Sequence, residues 1–273
     1  MNGEFSTKIP KIVLAWVHGV SCRNQTVSLS HLFDENTEQS KIHAEFQRKS
    51  EIRMTDNSYE QARFNMVEQQ VRPWEVMDQR VLQIMEELPR ENFVSDEYKG
   101  LAYADIEIPL ANGHHMLKPV IAGRLLQALN IKPTDSILEI GTGSGYVTAC
   151  LASLGEQVTS IEIDHEVASQ AAENLATLDF SNIELQTGDA MHSIPDNAPF
   201  DVIAVTANIP ECTNILPKEL NDGGRLFIIT GESPNMAAQL ITRIHGDNFR
   251  TETLFETEVE TLQSVPKKEA FCF

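Results

Sequence analysis

Between Ile137 and Ala152 the chain reads ILEIGTGSGYVTACLA, an apolar run that ends in Gly141-Thr142-Gly143-Ser144-Gly145 and passes at once into a helical pattern. Glycines at such a turn tolerate positive φ and let a ligand approach the main chain, while the start of the following helix offers unpaired N–H groups. The turn is suited to a nucleotide-like molecule. Its spacing is G-x-G-x-G, one residue short of the G-x-G-x-x-G dinucleotide fingerprint, and Glu139 stands two positions before the first glycine. A carboxylate there fits the sulfonium and amino-acid moiety of S-adenosylmethionine better than a pyrophosphate. The next β-rich run ends in IEID, placing Glu162 about 20 residues on, where a carboxylate accepts hydrogen bonds from ribose hydroxyls. A third run ends in TGD, and Asp189 would stand at the carboxyl edge of the sheet, near an adenine amino group. Asp164 reads as a helix cap and Cys150 as core packing.

A second stretch, Gly113-His114-His115-Met116-Leu117-Lys118-Pro119, sets two histidines side by side. Neighbouring residues of an extended segment point in opposite directions, which argues against one metal held by both. The expectation is one surface histidine and one lining a pocket. Cys22, Cys150, Cys212 and Cys272 form no C-x-x-C pair and suggest neither a zinc site nor a disulfide framework.

The elements that must position these residues are legible from periodicity. Helical spacing runs from Tyr59 to Val71 and from Asp78 to Leu88, the second bounded by Pro73 and Pro89. After Pro133, β-rich runs at 136–141, 157–164, 182–189, 200–207 and 224–231 alternate with helices from about Tyr146 and from about His165 to Thr177. Continuous apolar strands separated by helices predict a parallel sheet covered on both faces, the doubly wound α/β plan. The closing FRTETLFETEVETLQSV alternates apolar and polar residues and predicts antiparallel edge strands.

With 273 residues and 41% hydrophobic content the chain can bury a substantial core. Its net charge of −19 disfavours nucleic acid and anionic membrane as partners. Residues 1–53 hold 7 basic and 6 acidic residues, leaving 14 and 34 of the totals of 21 and 40 for the remainder. That leader has little periodicity, and Met54 is a candidate natural start. The apolar run Ile12 to Cys22 is short and broken by His18, so it reads as leader and not as a signal peptide.

From about Met66 to Gly231 the chain resembles the protein-L-isoaspartate O-methyltransferase family. The segments that carry the likeness are MVEQQVR, DQRVLQIMEELPRENFV, AYAD, ILEIGTGSGYVTACLA, VTSIEID, APFDVIAVTA and LNDGGRLFIITG. The resemblance implies a doubly wound, mostly parallel, Rossmann-like α/β methyltransferase sheet of seven strands with an N-terminal helical cap. The implied division is a leader (1–53), a cap with the substrate-side segment (54–132) and an S-adenosylmethionine-binding α/β domain with C-terminal antiparallel strands (133–273). It implies methyl transfer from S-adenosylmethionine to isoaspartyl carboxylates of damaged proteins, by a cytoplasmic monomer with no nucleic-acid or membrane partner. Cofactor contacts fall on Glu139, Gly141, Thr142, Gly143, Gly145, Glu162, Asp189 and Ala190, the last where the family usually has glycine. Val205, Thr206, Ala207 and Asn208 match a loop bordering the substrate, with Asn208 in place of alanine.

The larger departure is in GHHMLKP. His115 takes the place of a family threonine, and Leu117 that of a serine regarded as part of the active site. Leucine offers no side-chain hydrogen bond. Isoaspartyl activity must do without that hydroxyl or replace it with His115 or Lys118, although a lysine exposed to solvent is the plainer reading of Lys118. A same-fold methyltransferase with another substrate, or a cofactor-binding member without isoaspartyl activity, stays open.

Overall fold

The computed structural model describes residues 58–211 and 215–264. The leader, Met54 and the cysteines Cys22, Cys212 and Cys272 lie outside the described residues. Seven strands form one sheet: β3 (Ser136–Ile140), β4 (Gln157–Glu162), β5 (Ile183–Thr187), β6 (Phe200–Ile209), β7 (Leu220–Glu232), β8 (Asn235–His245) and β9 (Asn248–Glu256). Their order is β5-β4-β3-β6-β7-β8-β9. Pairing is parallel from β5 to β7, and β8 and β9 add an antiparallel meander. Two short strands, β1 (Ile108–Pro109) and β2 (His115–Met116), pair apart from it.

Strand alternation divides the core. Ile137, Val202, Ala204, Phe227 and Ile229 belong to one buried cluster, and Leu138, Ile140, Ile203, Val205, Leu226 and Ile228 to the other. The first cluster takes in α2 (Gln79–Glu87), α3 (Pro119–Leu129), α4 (Tyr146–Leu154) and Leu175 of α5 (His165–Ala176). The cap segment therefore shares one core with the sheet. The second face is covered differently from the expected helical layer: it packs against Leu216 of the short α6 (Ile215–Lys218) and against Met191, Ile194 and Ala198 of a helix-free connection.

Local chemistry sets the helix ends. Asp78 accepts from the Arg80 N–H at the start of α2, and Asp164 accepts from the Glu166 and Val167 N–H groups at the start of α5, as an N-cap should. Helix α1 (58–66) continues into a π-helical turn, Val67–Val71. Pro119 opens α3, where its missing N–H costs no hydrogen bond.

One expectation is corrected at the C-terminal end, and one strand there was not expected. Strand β8 carries the mixed run NMAAQLITRIH and has no clean alternation to announce it. Of FRTETLFETEVETLQSV, only the part to Glu256 is an edge strand. Residues 257–264 instead cross the carboxyl ends of the parallel strands, with a single parallel bridge from Thr261 to Asn208. The β7–β8 turn depends on Gly231, whose φ is +112 and where a Cβ would collide with the Asn235 carbonyl oxygen. Gly231→Ala should cost about 2 kcal/mol or more of stability, measured as a lowered urea midpoint at unchanged slope.

Candidate active site

The loop after β3 takes its shape from three glycines of positive φ, Gly141 (+92), Gly143 (+55) and Gly145 (+85). A side chain at Gly141 would meet Thr206, whose hydroxyl donates to the Gly141 carbonyl at 2.5 Å. Beside the loop, both oxygens of Glu162 accept main-chain N–H groups, from Gly143 at 2.9 Å and from Asp164 at 3.1 Å. A carboxylate held in this way keeps lone pairs for a further donor. One strand over, Asp189 accepts from the Met191 N–H and the Ser264 hydroxyl, both at 2.9 Å, and pairs with His192 Nδ1 at 2.6 Å. Burial works to raise the Asp189 carboxyl, but these hydrogen bonds outweigh it and hold the group below the usual carboxylate value.

Above the loop lies a cleft lined by the loop, by the 114–117 segment and by the crossing C-terminal segment. Gly141, Thr142, Gly143 and Glu162 line one end, His114 to Leu117 the other, and Thr206 and Ala207 the side between. An adjoining hollow reaches Asp189 and Ala190 and shares Gly141, Glu162, Leu262 and Gln263 with the cleft. The strand ends thus bring most of the expected residues to one place.

Several expected residues stand elsewhere. Glu139 is fully buried and lines neither hollow. It falls on the strand face that packs under α4, where one oxygen accepts from Thr148 at 2.5 Å and from Ser160 at 2.6 Å while the other has no partner. Ser160 in turn bonds Thr142 of the loop at 2.6 Å. Burial pushes the Glu139 carboxyl up to about 8. Gly145 starts α4 and packs against Leu175, away from the cleft. Val205 points into the second core, and Asn208 is buried where the C-terminal segment crosses. Lys118 immediately precedes α3 and lines neither hollow. Cys150 is enclosed in the core, its thiol pushed up by burial to about 12.

The histidine pair also differs from the expectation. Both rings converge on Glu260: His114 Nδ1 lies 2.8 Å from one carboxylate oxygen and His115 Nδ1 3.1 Å from the other. The extended alternation fails because His114 ends the turn Ala111–Gly113, in which Asn112 has φ +55, and only His115 belongs to a strand. Both line the cleft. Among the described residues, no group of three or more His, Cys, Asp or Glu side chains could hold a metal ion.

Sequence reasoning missed Arg90 and the crossing segment. Arg90 is fully buried, donates to the carbonyls of Ala102 at 2.8 Å and Leu117 at 2.6 Å, and lies over the Tyr146 ring at 4.8 Å. The PRENF motif held that signal. Val259 to Gln263 wall the cleft although nothing in their types marks them. Among the described residues, no helix is long and apolar enough to cross a membrane.

A seven-stranded, mostly parallel sheet with a glycine loop and carboxylates at the carboxyl ends of the next two strands defines a nucleoside-binding α/β protein of the methyltransferase kind. Residues 61–264 match the family model of protein-L-isoaspartate(D-aspartate) O-methyltransferase, and the chain belongs to that family. It is 41% identical over 181 residues to a protein-L-isoaspartate O-methyltransferase of Koribacter versatilis, covering 66% of this chain and 81% of that one. Over 197 residues it is 36% identical to the Serratia proteamaculans protein of the same name, covering 72% and 91%. A solved protein-L-isoaspartate O-methyltransferase superposes with TM-score 0.66 at 23% identity, over 74% of this chain and 66% of that chain. One from Plasmodium falciparum, in complex with S-adenosyl-L-homocysteine, gives 0.63 at 20%, over 75% and 98%. At these identities the structures bear on the fold alone.

The buried Glu139 has a pH consequence. Burial lifts its folded value from the ordinary 4.5 to about 8, so the native state binds the extra proton, and the stability this confers is full at low pH and lost as pH rises towards 8. Glu139→Gln should flatten that fall, read as urea-unfolding free energies of both chains between pH 5 and pH 8.5.

Proposed function

We propose that this chain is an S-adenosylmethionine-dependent methyltransferase acting on the α-carboxylate of isoaspartyl residues in damaged proteins. The observation that carries the reading is the pair of carboxylates, Glu162 and Asp189, at the carboxyl ends of neighbouring strands beside a glycine-rich loop, in a chain of this family. These residues fit the cofactor: a Cβ at Gly141 would drive into Thr206, which lines the cleft, and Glu162 retains acceptor capacity after binding two N–H groups. S-adenosylmethionine, when bound, supplies an electrophilic methyl on a sulfonium.

The work of the chain is to bind, orient and exclude water. Glu162 accepts from ribose hydroxyls, Asp189 and Ala190 receive the adenine, and Gly141, Thr142 and Gly143 let the ligand lie against main chain. Thr206 and Ala207 border the acceptor. The acceptor carboxylate is already an anion, so no base has to remove a proton, and rate enhancement rests on proximity and a dry cleft. His115 stands in for the missing hydroxyls at the acceptor end, and Leu117 supplies an apolar wall. The net charge of −19 supports a protein substrate over nucleic acid, and a cytoplasmic monomer completes the proposal.

A second reading is favoured by Leu117: the same fold and cofactor with another acceptor, or cofactor binding without transfer. Labelled S-adenosylmethionine with an isoaspartyl peptide and its aspartyl counterpart separates them. Base-labile methyl esters on the isoaspartyl peptide alone are expected; cofactor binding without transfer would sink the first reading. Glu162→Ala should weaken S-adenosylmethionine binding by about 1 to 3 kcal/mol, measured by calorimetry, and unchanged affinity contradicts its role.

A further inference from the structure

Glu260 is the only residue of the crossing segment whose carboxylate grips the substrate-side segment, and it does so through both oxygens. The Gln263 side-chain amide lies 2.9 Å from His114 Nε2, while His114 Nδ1 lies 2.8 Å from Glu260. Both nitrogens of His114 are thereby engaged. His115 gives Nδ1 to the second oxygen of Glu260, and among the described residues its Nε2 has no hydrogen-bond partner. Its side chain is 39% exposed and lines the cleft beside Leu117.

The carboxylate is not what keeps the crossing segment in place. Asn208 does that through main chain: its N–H donates to the Glu260 carbonyl at 2.8 Å, and its carbonyl accepts from the Leu262 N–H at 2.9 Å. Its side-chain amide adds bonds to Thr261 at 3.0 Å and to the Gly231 carbonyl at 3.2 Å. Removing the Glu260 side chain leaves all of these. What it removes is the partner that fixes the His115 ring, since the bond made by one imidazole nitrogen decides what the other presents.

We propose that Glu260 is a positioning residue for the acceptor: its carboxylate fixes the His115 ring through Nδ1 and leaves Nε2, which has no partner among the described residues, as the ring atom that meets the peptide substrate in the cleft. His114, pinned by Glu260 and Gln263, holds the carboxylate of Glu260 at the right place and does not touch substrate. The pairing gives the acceptor end a hydrogen-bonding group that Leu117 cannot provide. It rests on the isoaspartyl reading of the reaction.

The test combines kinetics with a direct view of the ring. Glu260→Ala and His115→Ala should each raise KM for the isoaspartyl peptide about tenfold while KM for S-adenosylmethionine stays within about twofold, and the double variant should be no worse than either single one. Nitrogen-15 NMR of the chain with S-adenosylhomocysteine should show His115 Nδ1 hydrogen-bonded to a carboxylate, lose that signature in Glu260→Ala, and show the Nε2 signal moving on addition of isoaspartyl but not aspartyl peptide. Glu260→Gln replaces the alanine variant if the latter does not fold. Additive losses, an unchanged peptide KM, or a His115 ring indifferent to Glu260 overturns the proposal. Absence of transfer by the unaltered chain overturns the reaction reading instead, and the ring spectra still decide whether Glu260 positions His115.

Discussion

Beneath the glycine loop, four polar side chains form one buried chain of hydrogen bonds: Thr142 to Ser160, Ser160 to Glu139, and Thr148 to Glu139. Each comes from a different element, the loop, β4, β3 and α4, so the set fixes the height and tilt of the loop above the sheet. A buried carboxyl is costly unless satisfied. Here one oxygen is doubly bonded and the other has no partner, and burial favours the protonated form. The loop therefore rests on a support that burial drives towards the neutral acid. Glu162 and Asp189, in contrast, stand at strand ends and line the clefts.

The parallel half of the fold was legible because its central strands, β3, β4 and β6, are mostly buried and α5 is capped. Runs such as ILEI and DVIAV leave little choice of structure, and Asp164 marks the start of α5 by its own side chain. Glu162 and Asp189 followed from spacing, since both end strands whose length and register are set by that pattern. Glu139 shows where spacing stops being informative. Two positions before a glycine places a residue near the ligand in sequence, but strand alternation decides the face, and residue 139 shares its face with Ile137, under α4. The last antiparallel strands were less legible because β8 alternates poorly and residues 257–264 repeat the look of a strand without pairing as one.

The acceptor end escaped the sequence for a different reason. His114 and Glu260 are 146 residues apart, and His115 and Glu260 145, so no local pattern joins them. Only the crossing of the C-terminal segment over the strand ends brings them together, and that crossing is set by the main chain of a buried Asn208. Asn208 itself read as a modest change in a substrate-bordering loop; its side chain serves the segment and not the cleft.

Arg90 explains how the substrate side can change its chemistry without changing its shape. Its guanidinium binds the carbonyl of residue 117 and stacks on Tyr146, contacts indifferent to the side chain at 117. With Ala102 as its second carbonyl partner, Arg90 pins the backbone of the segment from within the core. Leucine at 117 is then accommodated by turning an apolar side chain into a wall already lined by Met116 and Val147, at no cost in main-chain hydrogen bonds. A backbone held from below frees the side chains above it to vary. His115 and Glu260 are such a variation, made across two segments and dependent on both remaining where Arg90 and Asn208 hold them.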